Sequence, residues 1–464
     1  MIVAKTQGFS WWLFAVLLFV GGSYSAVPTL VGAQCNNSKG FNAAYGICGG
    51  SNATPQGSFA MVDAFQYNST DICTAIYDIF LSYNTGNSNG VVVDARGFNS
   101  GQVNCSVNPW SVSAEPSMSV ILLPSGTITI SAKWTLPSNA RVIGEGPNLT
   151  ILKAASGFSG EMIDMGTPAL CMNKNDCPGI SIEHLGLNGN SQPGVSGIVN
   201  NNAQELSYVD DVAFSNMLPT SSGSGGIALY LNGQYSFNSG PYTNLIMSNV
   251  GTCVWINGPE DTRGIHGLTC KSLPPTSPAA IYLDSSNNSL EDIAIDGSNT
   301  GSQDGILIGQ NAPAENNVLF NVSGSGLKNV VHISSQTNSN SSHNCPPLAS
   351  GTVHNVCDVT VLEATNSSGS PGNIIEDDLT GTTLSGFNLG MYIVGEPVNG
   401  GSSSIGYSRL TSSLLAPAWL VGTGAPSSNS TCAVGSLYSR TSGASGTNTI
   451  YGCVGGSTPW AVIK

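Results

Sequence analysis

The stretch LEDIAIDGS, residues 290–298, sets three acids, Glu291, Asp292 and Asp296, around the alternating apolar pair Ile293 and Ile295. Standing alone it reads as an acid cluster; recurring, it reads as one rung of a repeating scaffold. It recurs. The first apolar residue of each similar phrase is Leu185 in HLGLNG, Val212 in DVAFSN, Leu245 in NLIMSN, Leu268 in GLTCKS, Ile293 in DIAIDG, Val318 in NVLFNV and Val359 in DVTVLE. The intervals are 27, 33, 23, 25, 25 and 41 residues, a coil-length period with insertions. A second apolar-x-apolar set interleaves with the first from Leu229, Val254, Ile281, Ile306 and Val331, at intervals of 25, 27, 25 and 25. Each period therefore holds at least two short strands.

Strands this short, with Gly, Asn, Ser and Pro between them, bury no face alone. Stacking coil on coil gives each one hydrogen-bonding neighbours above and below, which predicts an all-β chain wound as a parallel solenoid. A propeller blade needs roughly 40–50 residues and four antiparallel strands, which these phrases do not supply. Upstream, VVVDARGF (91–98), VILLPSGTITIS (120–131), ARVIGEG (140–146) and LTILKAAS (149–156) read as the first coils. Before them Ile72, Ala75, Ile76 and Ile79 form a helical stripe opened by Ser69, Thr70 and Asp71, placed to cover the open end of the stack.

The expected organisation is a signal peptide over 1–33, an N-terminal segment with the capping helix over 34–90, the β-helix over 91–395, a Gly/Ser-rich linker over 396–428 and a small β-module over 429–464. Lys5 followed by WWLFAVLLFV supplies a charged start and an apolar core too short to span a bilayer, so the chain is expected to be secreted. The formal net charge of −14 argues against nucleic-acid partners and, after signal removal, against anionic membranes. Acidic polysaccharides would be repelled too, unless a basic site or Ca²⁺ intervened. All 12 cysteines lie beyond the signal, in an even count that favours disulfides. Proximity suggests Cys35 with Cys48, Cys73 with Cys105, Cys171 with Cys177, Cys253 with Cys270, Cys345 with Cys357 and Cys432 with Cys453. Their spacing is too loose for a metal site, and no metal is expected.

The phrases VVVDARGF, ILLPSGTITIS with VIGEGPNLTILKA, SLEDIAIDGS and ENNVLFNVSGS resemble the pectate-lyase-like superfamily of right-handed parallel β-helix proteins over roughly residues 69–390. The resemblance implies that fold and a carbohydrate-related role, since lyases, polygalacturonase-like hydrolases and tailspike adhesins share it. The hydrolase set NTD, DD, GHG and RIK is missing as a set. DD occurs at Asp210/Asp211 and Asp377/Asp378, but without the companion motifs those acids inherit no role.

Stacking in register turns equivalent positions into rows spaced ~4.8 Å per coil. Two residues before the first inward residue the expected row is Glu183, Asp210, Thr243, His266, Glu291 and Asn316; three residues after it, Asn188, Ser215, Ser248, Lys271, Asp296 and Asn321. Glycosidic hydrolysis needs two carboxylates ~5–9.5 Å apart. Glu291 with Asp296 as acid and base, oriented by His266 and Lys271, is the candidate catalytic set; Glu183 with Asp210 on adjacent coils is another pair that would satisfy the spacing. A lyase would need a base and a uronate-neutralising cation such as Ca²⁺, and only Arg263 and Lys271 are basic between 175 and 327. No other cofactor is expected. Against these roles, Asp211, Asp292 and Asp358, with Asn244 and Asn317 as equivalents, also suit turns before strands. The second strand set exposes Tyr230, Trp255, Tyr282, Leu307 and His332 on successive coils, an aromatic ladder suited to sugar faces, to loop cover or to a subunit contact. Two functions stay open: a secreted protein that binds extracellular polysaccharide on its outer face and cleaves it as a hydrolase or lyase, and a non-catalytic tailspike-like adhesin, a candidate homotrimer.

Overall fold

The computed structural model describes residues 41–42, 47–48, 60–98, 102–334 and 337–338, parts of 353–377, and segments at 419–422, 437–440, 450–454 and 460–463, except 68–69, 84–89, 112–117, 172–175, 233–237, 259–261 and 299–301 inside the longer spans. It is the parallel β-helix that the repeat and the resemblance imply. One wall is a nine-stranded sheet running from Trp134–Leu136 through Gly160–Met165, Val195–Asn200, Ile227–Asn232, Thr252–Asn257, Ala279–Asp284, Asp304–Ile308 and Asn329–Ile333 to Asn373–Asp377. Every neighbour in it is parallel.

The other wall is bent. Before residue 181 it consists of separate strands: Ala140–Ile143 pairs with Ser181–Glu183, and Thr150–Ala154 pairs with Gly186–Asn188. From Ser181–Asn188 onward one strand per coil runs across both arms, through Tyr208–Met217, Tyr242–Val250, Ile265–Lys271, Ser289–Asp296 and Val318–Ser325. The corner is a single residue in the left-handed region. His184, Asp211, Asn244, Gly267, Asp292 and Asn321 have φ of 55°, 52°, 55°, 72°, 57° and 52°, and each stands just before the first inward apolar residue of its second arm. Asp, Asn, His and Gly are the types that tolerate this conformation. The turn role expected for Asp211, Asp292 and Asn244 therefore has a cause in backbone geometry. The corner in the next coil is Asn321, not Asn317, which is buried and holds Asn288 and the Ser285 carbonyl. Asp358 lies outside the described residues.

Because the corner turns the chain, inward residues are three apart across it and two apart after it. Leu290, Ile293 and Ile295 point inward, as do Ile265, Leu268 and Cys270 one coil earlier, all at most 3% exposed. Burying each aliphatic side chain contributes about 1.5–3 kcal/mol, so each rung is held mainly by its own core residues and those of its neighbours. The register corrects the expected rows at their far end. Ile293 pairs with Val322 and Glu291 with Phe320, so Val318, Asn316 and Asn321 do not hold the places assigned to them. Asp296 pairs with Ser325, and Val322 pairs with Ala364 rather than with Val359, which is nevertheless buried.

Helix Ile72–Tyr83 closes the N-terminal end. Asp71 caps it, its Oδ1 accepting from the Thr74 backbone N–H at 2.9 Å, while its Oδ2 accepts from the Ser106 N–H at 2.8 Å. Phe80 on the helix packs on Trp110, and Trp110 on Trp134, the first strand of the nine-stranded wall. The Asn108 Oδ1 accepts the Thr135 N–H at 3.2 Å, which satisfies a donor on an edge that no further strand covers among the described residues. The stack begins earlier than residue 91, since Ala60–Asp63 pairs in parallel with Val91–Asp94. Later in the chain Trp419–Gly422, Leu437–Arg440, Ile450–Cys453 and Trp460–Val462 form a separate four-stranded sheet, so one of its strands comes from the stretch expected to be linker.

Among the described residues three of the six expected disulfides are present. Cys73–Cys105 ties the helix to the stack, and Cys171–Cys177 and Cys253–Cys270 also pair as proximity suggested. Cys48 and Cys357 lie in strands, and the partners that proximity assigns to them, Cys35 and Cys345, lie outside the described residues. Cys48 ends Ile47–Cys48, antiparallel to Phe41–Asn42 with Phe41 as its Cα partner. Cys357 ends Val356–Cys357, parallel to Ala314–Glu315 with Glu315 as its Cα partner. Cys453 is disulfide-bonded, while Cys432 and the signal segment also lie outside the described residues.

Candidate functional site

The first arm of the bent wall presents one outward residue per coil next to its corner, with a second two residues ahead of it. Cα register places Ile143, Glu183, Asp210, Thr243, His266, Glu291 and Phe320 in a single row. The Glu183 Oε1 accepts from Arg141 Nη2 at 2.7 Å, from Ser181 Oγ at 2.8 Å and from the Tyr208 hydroxyl at 2.8 Å. Burial alone would raise this carboxyl, but the hydrogen bonds from Arg141, Ser181 and Tyr208 outweigh it and hold its pKa below the ordinary value. The arginine charge is thereby neutralised within the row.

One step along, the corner residues add a second pair. His184 Nδ1 lies 2.8 Å from Asp211 Oδ2, and this hydrogen bond, against some burial, raises the imidazole pKa, with the Asp211, Asp210 and Glu183 charges adding to it. Asp210 Oδ1 accepts from the Thr243 hydroxyl and from Asn244 Nδ2. Further on, His266 Nδ1 lies 3.2 Å from Glu291 Oε2, and Glu291 Oε1 accepts from Ser289 Oγ at 2.9 Å. Four coil-to-coil contacts, Arg141–Glu183, His184–Asp211, Thr243–Asp210 and His266–Glu291, thus fill one outer strip. All of these residues are partly exposed except Ser181, which is buried, and Asn244, which is open to solvent.

The strip takes in half of the candidate catalytic set. His266 and Glu291 meet in it. Asp296 and Lys271 do not: they stand on the second arm, past the corners at Asp292 and Gly267, and Asp296 accepts from Ser325 at 2.6 Å. Glu183 and Asp210 are direct Cα partners on adjacent coils, one ~4.8 Å step apart. The expected rows omitted Arg141 and Tyr208, which lie two residues ahead of the row positions in their own strands. The available signal was the alternation Ser181, Glu183 and Tyr208, Asp210, in which residues two apart share a face.

The aromatic ladder forms, with a consequence for its use. Tyr230 pairs with Trp255 and Trp255 with Tyr282, their ring centroids 5.0 and 5.5 Å apart at interplanar angles of 27° and 42°. The rings lie against one another along the stack, with Val199 and Leu307 next in register at either end. Trp255 thus has a ring on each face, while Tyr230 and Tyr282 each stack one face on it. Trp255 Nε1 donates to Asp284 Oδ2 at 2.9 Å, and Asn257 Nδ2 donates to the Tyr230 hydroxyl at 3.1 Å. Burial, with the Asp284 and Asp304 charges, pushes the Tyr282 hydroxyl up to about 12. Both faces of Trp255 are therefore covered by its neighbours, which leaves the ring edges and the outer faces of Tyr230 and Tyr282 for any sugar contact. Among the described residues no three His, Cys, Asp or Glu side chains converge as a metal set would, and no helix is long and apolar enough to cross a membrane.

No protein-family model and no curated protein matches the chain. Solved structures do. A protein of Geobacillus virus E2 is 11% identical with a TM-score of 0.40 over 74% of this chain and 62% of its own, so this chain spans less than two thirds of its length. The A-module of a mannuronan C-5 epimerase from Azotobacter vinelandii is 13% identical with a TM-score of 0.34, over 72% of this chain and 94% of that one. The Dettilon tailspike protein is 11% identical with a TM-score of 0.33, over 68% and 59%. At these values the likenesses carry no residue correspondence to this chain, whose site is described by its own geometry.

Proposed function

We propose that the protein is a secreted polysaccharide-binding β-helix, and that an extended glycan lies along the strip from Glu183 to Glu291. One observation carries this: four coil-spanning polar pairs lie along one outer strip, in a chain where only 9% of residues are charged. Their remaining lone pairs and N–H groups are spaced by the coil repeat, which is comparable in length to one sugar unit. Because Arg141 is neutralised by Glu183 and the row is otherwise acidic, a neutral or hydroxyl-rich glycan suits it better than a polyuronate. The same scarcity of cations along the row disfavours β-elimination.

A second reading, hydrolysis, is favoured by the group opposite the ionised acids. His184 carries a raised pKa beside Glu183 and Asp210, which places a proton donor next to carboxylates able to orient water. The test is co-sedimentation and reducing-end release on a panel of neutral and acidic polysaccharides, comparing the native chain with Asp210→Asn and His266→Ala. Binding to a neutral glycan that both variants weaken supports the strip. Retention of full binding by both removes it, and reducing ends that vanish in His184→Ala while binding persists select hydrolysis over adhesion.

A further inference from the structure

The outward row of the first arm does not begin at Glu183. Cα register carries it back through Ile143, Leu122 and Asp94 to Asp63, four coils nearer the N-terminus. Leu122 and Ile143 are half-buried, so a low apolar floor separates the strip from a second polar stretch on the same arm. That stretch is built from fixed groups. Asp94 Oδ1 accepts from Arg96 Nε at 2.9 Å and from the Arg96 backbone N–H at 3.1 Å, and its Oδ2 accepts from Arg96 Nη2 at 2.8 Å. Asp63 Oδ1 accepts from the Phe65 backbone N–H at 3.0 Å, and its Oδ2 accepts from Gln66 Nε2 at 3.3 Å.

Phe65 joins the two turns and is 60% exposed, the more open of the two exposed phenylalanines among the described residues. Gly97, next to Arg96, passes close against it: an added Cβ there would lie 2.9 Å from the Phe65 Cβ. The Phe98 ring meets Phe65 at 5.6 Å between centroids and 82° between planes. Such an edge-to-face contact takes at most one face of Phe65, so an open face remains beside the Asp94–Arg96 pair. A guanidinium has five N–H donors, of which Asp94 takes two from the side chain, and the Asp63 carboxylate has lone pairs to spare. An apolar partner would cover the ring and strand these polar groups. A polyanion would meet Asp63 and Asp94, with the Glu145 charge also acting on Arg96. A neutral sugar ring, with an apolar C–H face and a rim of hydroxyls, satisfies both.

We propose that Phe65 is a stacking platform for one unit of a neutral glycan, whose hydroxyl rim binds the Arg96 guanidinium and the Asp63 carboxylate. The inference rests on the reading of the Glu183–Glu291 strip as a glycan row and adds to it a preferred ligand length. At ~4.8 Å per coil the strip spans four steps, about 19 Å, whereas Asp63 to Glu291 spans eight, about 38 Å. With one unit per coil, a chain of about five units fills the strip and one of about nine also reaches Phe65.

Isothermal titration calorimetry on the full chain, with linear β-1,4-linked mannan and xylan oligosaccharides of about five and about nine units, tests this. The native chain should bind the longer probe about three- to tenfold more tightly than the shorter, the range of one aromatic stacking contact. Phe65→Ala should erase that gain, and so should Phe65→Leu, which keeps an apolar side chain on Phe98 but has no aromatic face. Phe65→Trp should retain it, and Arg96→Gln should reduce it. Asp210→Asn, in the strip, should weaken both lengths in proportion. A length gain that survives Phe65→Ala and Phe65→Leu overturns the platform and leaves the strip standing, as does equal binding of both lengths by the native chain. Absence of binding at either length removes the strip reading and this extension together.

Discussion

Arg141→Met leaves most of the aliphatic stem of that side chain in place and removes the guanidinium that holds Glu183. Two donors disappear, Nη2 to Glu183 at 2.7 Å and Nε to Ser181 at 3.1 Å. A hydrogen bond to a charged group contributes ~1.5–3 kcal/mol when enclosed. The Glu183 side chain is 13% exposed but that of Arg141 is 41% exposed, which draws the value toward the surface range. The expected loss is about 1–2 kcal/mol at pH 7, or about 1–4 °C in the unfolding temperature. Glu183 has a folded pKa below its unfolded value, so its contribution is in place above the unfolded pKa and is lost as pH falls through the lower, folded one. The gap between native and variant should therefore narrow in acid. In a cycle of Arg141→Met, Glu183→Gln and the double variant, followed by thermal unfolding at pH 7, the two changes should couple by about 1 kcal/mol. Additive effects, or a gap that is as wide at pH 3 as at pH 7, would refute the view that this pair organises the strip.

Tyr242 is fully buried between Asn200 and Ser239, and burial pushes its hydroxyl up to about 12. A raised folded pKa keeps its stabilisation below the unfolded value near 10 and loses it as pH rises toward 12, a fall of about 3 kcal/mol that denaturant titrations at stepped alkaline pH should show and Tyr242→Phe should reduce. Trp255→Ala removes the middle ring of the stack and should cost about 2–4 kcal/mol in denaturant unfolding while leaving glycan co-sedimentation intact, since the ring faces are covered. Replacing Cys73 and Cys105 together by Ala opens a loop of 32-residue separation and should cost about 3–4 kcal/mol, read as unfolding of the capping helix before the stack. A Cβ at Gly144 would clash with the His184 carbonyl oxygen, so Gly144→Ala should destabilise the fold by the ~1–3 kcal/mol typical of overpacking, read as a lower unfolding temperature in a circular-dichroism melt.

The register of this chain is legible wherever two independent periodicities agree. The second strand set has nothing but alternation, and its outward row of Tyr230, Trp255, Tyr282, Leu307 and His332 is the one observed. The first set fails at one coil, and the failure has a physical cause. In NNVLFNV both Asn317–Val318 and Asn321–Val322 place a left-handed-tolerant residue before a valine, and a 25-residue period selects the first. The corner geometry selects the second. Every coil carries an inward residue three positions before the corner valine or its equivalent: Ile182, Val209, Tyr242, Ile265 and Leu290. Three before Val318 stands Glu315, and three before Val322 stands Leu319, so only the later choice fills the core. What the sequence could not show is the divergence of side chains across that corner. In a straight strand Glu291 and Asp296, five residues and about 17 Å apart, would point to opposite faces, and the left-handed residue between them instead turns both outward on two different arms. The site then falls to residues distant in sequence, Arg141, Glu183 and Tyr208 among them, because in a solenoid the nearest neighbour of a side chain is one coil away. A bend of one residue decides which acids share a surface, and replacing Asp292 by Val, which resists positive φ at a cost of about 1–2 kcal/mol, should destabilise that coil in denaturant unfolding more than neutralising either Glu291 or Asp296 does.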